Sequence, residues 1–222
     1  MLNPVDVKDV TKTYRLGTLT VTALAGVSLT VKTGEFLAVA GPSGSGKTTL
    51  LNLIGCLDTP TSGAVEIDGE PVIALSPGQR ADLRARKLGF IFQTFNLIPV
   101  LTAWENVEYP LLIHRRSGDV ATRVRAALEQ VGLGDRARHR PTELSGGQQQ
   151  RVAIARALVG EPALVLADEP TANLDSRTGH EIIELMRRLN RERRTTFVFS
   201  THDPRIMGAA DRVLEISDVQ LR

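Results

Sequence analysis

The chain has little cysteine, little net charge and no long hydrophobic run. Its single cysteine, Cys56, excludes an internal disulfide and a thiolate metal cluster. Set in the apolar stretch LLNLIGCL, Cys56 is expected to pack as a small buried hydrophobe. Twenty-seven Lys and Arg against 25 Asp and Glu leave a formal charge of +2, which argues against a nucleic-acid partner. No stretch approaches the ~18 consecutive apolar residues of a membrane span, and the opening MLNPVDVKDV has no apolar signal core. The protein is therefore expected in the cytosol, with any membrane role reached through a partner. Internal repeats, low-complexity tracts and long heptad insertions are also missing.

What remains is ordinarily globular, 42% hydrophobic over 222 residues, enough to bury the core of one large domain, 1–222. Near the N-terminus Val5 and Val7, then Val27, Leu29 and Val31, alternate with polar residues, which predicts antiparallel strands with one wet face. Val65 and Ile67 followed by Asp68-Gly69 and Val72 predict a hairpin. Three runs are apolar without alternation: Phe36–Ala40, Leu164–Ala167 and Phe197–Phe199. Such strands are buried on both faces, so they predict a parallel sheet between helix layers. Between them Ile182, Ile183, Leu185, Met186 and Leu189 form a helical stripe behind the cap Asp175-Ser176. Val120, Val124, Ala127, Leu128 and Val131 form another, closed by Gly132 and Gly134. Residues 86–160, loop-rich and then helical, are expected to be a helical subdomain inserted into this α/β core.

The strand Phe36–Ala40 runs into GPSGSGKT, the phosphate-loop pattern G-x-x-x-x-G-K-[ST]. Gly41, Gly44 and Gly46 let the backbone wrap phosphate oxygens; Pro42, Ser43, Ser45 and Thr49 complete the stretch. Lys47 would reach the β- and γ-phosphates, and Thr48 would offer its hydroxyl to Mg²⁺. LVLADEP ends a second buried strand with Asp168, placed for Mg²⁺, and Glu169, placed to polarise the attacking water. His202, in FSTHD, follows a third buried strand. The parallel-sheet rule puts all three at the same edge, with His202 aimed at the γ-phosphate. A second anion-binding layout appears at LSGGQQQRVAIARAL, where Ser145, Gly146, Gly147 and Gln148 open a helix.

GPSGSGKT, Gln93 in FIFQ, LSGGQ, LVLADEP, Asp175 in ANLD and His202 occur in the order of ABC-transporter ATPase subunits, which this chain resembles over almost its whole length. The resemblance implies a P-loop NTPase core with a mainly parallel sheet, an N-terminal antiparallel β-subdomain and the inserted helical subdomain. It implies ATP and Mg²⁺ as ligands, with Tyr14 stacking on adenine. Gln93 would sense Mg²⁺ and the γ-phosphate, and Asp175 would contact a second subunit. It further implies that Ser145 and its glycines meet the nucleotide held by another copy in a head-to-tail homodimer. NLIGCLDTPTSG and LGFIFQTFNLIPVLTAWENVEYPLL are similar to the macrolide-efflux and lipoprotein-release (MacB/LolD-type) group. Such members serve an integral membrane permease, FtsX-like with few membrane helices, at the cytoplasmic face of the inner membrane.

Phe95, Leu97, Ile98 and Pro99 put apolar groups into a loop, which fits a groove for a permease helix. Thr102 is expected to cap the next helix, and Trp104 suits core filling and interface equally. Many members continue past the last strand with Asp-Gly; this chain has Asp218-Val219 and stops at Arg222, which raises the expectation of a shortened C-terminus. A soluble ABC ATPase acting on DNA or ribosomes is the alternative. The lack of tandem ATPase units and coiled-coil insertions disfavours it.

Overall fold

The computed structural model describes residues 3–113, 119–217 and 219–221, so Asp218 lies outside the described residues. The chain enters through two long antiparallel strands, β1 (Val5–Leu16) and β2 (Leu19–Val31). Val5 pairs with Val31 and Val7 with Leu29, so the predicted alternation turns both sets of valines inward. Next come β3 (Phe36–Ala40) and helix α1 (Lys47–Ile54). The chain then returns to the first sheet with β4 (Ser62–Ile67) and β5 (Glu70–Pro71). Asp68 (φ 53°) and Gly69 (φ 80°) make the tip of this hairpin, the positive-φ pair that a two-residue turn requires. Val72, expected on its second arm, instead opens a single 3₁₀ turn. The first sheet has the order β2-β1-β4-β5 and is antiparallel throughout.

The chain continues through α2 (Pro77–Lys87), β6 (Leu88–Ile91), α3 (Ala103–Ile113), α4 (Val120–Gln130) and α5 (Gly146–Leu158). β7 (Leu164–Ala167), α6 (Ser176–Arg193) and β8 (Thr196–Thr201) follow. A short α7 (Pro204–Met207) leads to β9 (Arg212–Ser217) and β10 (Gln220–Leu221). The second sheet has the order β10-β9-β3-β8-β7-β6; all neighbours are parallel except β10 against β9. Within residues 86–160, β6 therefore pairs into this sheet, and α3, α4 and α5 follow it.

Two cores, one on each face of the parallel sheet, account for its continuous apolar strands. Phe36, Ala38, Val165, Ala167, Phe197 and Phe199 face α3 to α6. Leu37, Val39, Leu164, Leu166 and Val198 face α1 and the first sheet. Each fully buried phenylalanine contributes roughly 2–3 kcal/mol, and Phe36 packs its ring 4.8 Å from that of Phe199. The predicted stripe of α6 is buried, and Asp175 caps that helix by accepting from the Arg177 and Thr178 N–H groups. Thr102 caps α3 in exchange with Glu105. Trp104 packs half-buried against the helical core. Because β3, β8 and β7 are neighbours, their C-terminal ends bring Gly41, His202 and Asp168-Glu169 to one edge.

Candidate active site

The phosphate loop turns from β3 into α1. Gly46 caps α1 in a left-handed conformation (φ 107°), and a Cβ there would stand 2.4 Å from the Ala23 carbonyl, so a side chain is excluded. A glycine cap leaves the first-turn N–H groups of α1 without a side-chain acceptor, directed at the loop's hollow. Lys47 points back under the loop: its ammonium donates to the carbonyls of Gly41 (2.7 Å) and Pro42 (2.9 Å) and lies 3.6 Å from the Glu169 carboxylate. The Thr48 hydroxyl lies 3.0 and 3.2 Å from the two Asp168 oxygens.

Behind β7, Glu169 sits at φ 45°, a left-handed backbone in the strand-to-loop turn. Its carboxylate is held by His202 Nδ1 at 2.9 Å. Ser200, on β8, ties the two acids together. Its hydroxyl donates to Asp168 Oδ1 (2.7 Å) and accepts from the Glu169 N–H (2.8 Å). The sequence reading missed Ser200; the signal was a polar residue inside a buried strand, two positions before His202. Gln93 follows β6, and its carbonyl accepts from Asn173 Nδ2.

A cavity of about 500 Å³ gathers Pro42, Ser43, Gly44, Gly46, Lys47, Thr48, Thr49, Gln93, Glu169, Ala172 and His202. Most of the phosphate-loop and acid residues read from the sequence thus converge. The buried Ser45 hydroxyl has no partner among the described residues, although the loop encloses it. The Lys47 ammonium and the first-turn N–H groups of α1, which no side chain accepts from, are donors for an anion, so the hollow fits a triphosphate; Ser45 itself does not line it. The Thr48 hydroxyl and Asp168 carboxylate are hard oxygen donors suited to Mg²⁺. Among the described residues no group of three or more His, Cys, Asp or Glu could hold a metal alone. That donor set matches an ion shared with substrate phosphates.

The second anion layout is elsewhere. Ser145, Gly146, Gly147 and Gln148 do not line that cavity. Ser145 caps α5: its hydroxyl accepts from the Gln148 N–H (3.3 Å), while Gln148 Oε1 accepts from the Ser145 N–H (2.9 Å). A Cβ at Gly147 would meet Thr178 Cγ2 at 2.5 Å, and Thr178 is itself bonded to Asp175. The signature turn and Asp175 therefore form one packed joint between α5 and α6. Hydrogen bonds from the Thr178 hydroxyl and N–H hold the Asp175 carboxyl below the usual range. Tyr14, toward the far end of β1, donates its hydroxyl to Asp58 Oδ2 at 2.9 Å. In the loop after Gln93, Leu97 packs against the helical core, Phe95 and Ile98 are half-buried and Pro99 is exposed. The partly buried Arg156 guanidinium, from α5, donates to the Phe95 (2.8 Å) and Asn96 (2.5 Å) carbonyls.

Residues 24–172 match the family model described as "ABC transporter". The chain belongs to that family. Over 219 residues it is 50% identical to the macrolide export ATP-binding/permease protein MacB of Syntrophobacter fumaroxidans, covering 96% of this chain and 30% of that protein's length. Over 212 residues it is 49% identical to the lipoprotein-releasing system ATP-binding protein LolD of Bordetella pertussis, covering 95% of this chain and 92% of LolD. Among solved structures it is similar to the dimeric post-hydrolysis state of the ATP-binding cassette MJ0796, from Methanocaldococcus jannaschii, bound to ADP and Pi. That match has a TM-score of 0.90 at 46% identity over 98% of this chain and 96% of the other. The ABC cassette fold expected from the motifs is present, and the chain is an ATP-hydrolysing subunit of the ABC transporter type.

Proposed function

We propose that this chain is the motor of a MacB/LolD-type transporter, in which two copies close head to tail around ATP and drive a separate membrane permease. One observation carries the reading. The cavity that holds Lys47, Thr48, Glu169 and His202 contains no residue of the LSGGQ turn, so each chain has half of two sites. A second copy, turned head to tail, would place its Ser145, the Gly146 and Gly147 N–H groups and the positive end of α5 against the open side of the triphosphate.

Within that pair Lys47 leaves its loop carbonyls for the β- and γ-phosphates. Glu169 accepts a proton from the attacking water, and His202, bonded to Glu169, orients that carboxylate and meets the γ-phosphate. Thr48 and Asp168, with Gln93 beside them, would hold Mg²⁺, which when bound offsets charge on the phosphate oxygens. Tyr14 receives the adenine and Asp175 contacts the partner copy. We treat residues 86–160 as the helical subdomain that moves against the core. An apolar cleft of about 410 Å³ lies beside it, lined by Leu57, Phe90, Phe92, Pro110 and Leu111 among others. It suits a short amphipathic helix of an FtsX-like permease better than the loop residues Leu97 and Ile98, whose side chains are partly spent on packing. The chain then works at the cytoplasmic face of the membrane, held there by the permease. Among the described residues no helix is long and apolar enough to cross a membrane.

The test is size-exclusion chromatography of Glu169→Gln with ATP and Mg²⁺. Loss of the base should slow turnover by about a thousandfold and trap a species of twice the monomer mass. A monomer under saturating ATP would overturn the shared site.

A further inference from the structure

Tyr14 is not a free aromatic on a strand end. The Lys12 ammonium lies over its ring, 4.8 Å from the centroid, and donates to Asp58 Oδ1 (2.7 Å) and the Thr59 carbonyl (2.8 Å). The other Asp58 oxygen accepts from the Tyr14 hydroxyl at 2.9 Å. The Lys12 side chain keeps only 11% of its surface exposed, whereas Tyr14 keeps 36%. A lysine withdrawn from water to sit on a ring that itself stays open is an expensive arrangement for a strand surface. Burial works to raise the Asp58 pKa, but hydrogen bonds from Lys12, the Thr59 N–H and Tyr14 hold it below the usual carboxylate range. The acid is therefore charged at neutral pH.

The anchor of this cluster is the phosphate-loop helix. Asp58 lies just beyond α1, and its N–H donates to the Asn52 carbonyl (3.3 Å), which folds the chain back along that helix. The ring is thus referenced to α1 through Asp58, although it belongs to a different sheet.

We infer that Lys12 and Asp58 are positioning residues that fix the Tyr14 ring, its hydroxyl pinned and one face covered, as a platform for the purine of the nucleotide at a set distance from the Lys47 cradle. This rests on the reading of Tyr14 as the adenine-stacking residue. Tyr14 with a free hydroxyl would rotate, and stacking would cost the ordering of its side chain at each binding event.

The test compares binding of the non-hydrolysable nucleotide AMP-PNP with inorganic tripolyphosphate, by calorimetry on the full chain. Asp58→Ala and Tyr14→Phe should each weaken AMP-PNP about tenfold, the low end for a hydrogen bond to a charged group, and leave tripolyphosphate affinity unchanged. Tyr14→Phe keeps the ring and the fold should Asp58→Ala unfold the chain. If Tyr14→Ala weakens AMP-PNP while Tyr14→Phe and Asp58→Ala bind it like the parent, stacking stands and the positioning role is overturned. If Tyr14→Ala also binds AMP-PNP like the parent, the stacking reading itself fails and takes the inference with it. Equal losses of AMP-PNP and tripolyphosphate would make Asp58 a support of the phosphate loop, which also overturns the inference.

Discussion

Two helix N-termini in this molecule offer themselves to anions, and they are finished differently. Helix α1 begins on a glycine in a left-handed turn, with no side chain accepting from its first turn and a lysine folded beneath it. Helix α5 begins on a complete capping box, Ser145 and Gln148 satisfying each other's backbone N–H. The first leaves donors open to an anion within its own chain. The second is closed on itself and stable while empty, which suits the proposed role of meeting a ligand held by another copy. On that reading the first end binds the nucleotide and the second completes the site.

Three substitutions test that contrast. Lys47→Ala, at the open end, should lower phosphate release by at least about a thousandfold, since the charge opposing the transferred phosphate is gone. Turnover retained in a clean preparation would sink the cradle assignment. At the closed end Ser145→Ala should reduce turnover by about a hundredfold and the stability of α5 by about 1 kcal/mol. ATP affinity measured on dilute monomer should stay unchanged; a parallel fall in monomer affinity would return the turn to a same-chain site. Smallest is Ser45→Ala, which removes the orphaned hydroxyl. Thermal unfolding should show the nucleotide-free chain stabilised by about 1 kcal/mol, with less added stabilisation from ATP than in the parent. If ATP stabilises both equally, Ser45 is no part of the cradle.

The convergence at one sheet edge was legible because short motifs sit directly after strands of one apolar type, and adjacent parallel strands bring their ends together. The meeting of Lys47, Thr48, Glu169 and His202 around one hollow followed. What escaped was either polar or brief. Helix α2 buries only Leu83, so its stripe is invisible; its signal was Ser76 and Gln79, a capping box that spans Pro77. Strand β6 has four residues and is interrupted by Gly89, whose missing side chain makes room for the Ala157 carbonyl of α5. β9, between β3 and the two-residue edge strand β10, is exposed along much of its length, so apolar continuity fades there. Ser200, Lys12 and Asp58 act through partners 31 to 47 positions away in sequence, and no local pattern announces a contact of that range.

Arg156 shows what such a distant contact can transmit. Burial pulls its pKa down, and its guanidinium answers only to carbonyl oxygens of the loop beyond Gln93 among the contacts resolved for it. An exposed ion pair can slip and re-form in water at little cost, whereas these two bonds join a partly buried guanidinium to neutral carbonyls, each worth about 1.5–3 kcal/mol. On the proposed head-to-tail reading, a tilt of α5 on closing would be carried through Arg156 to the backbone of Phe95 and Asn96, in the loop beyond Gln93.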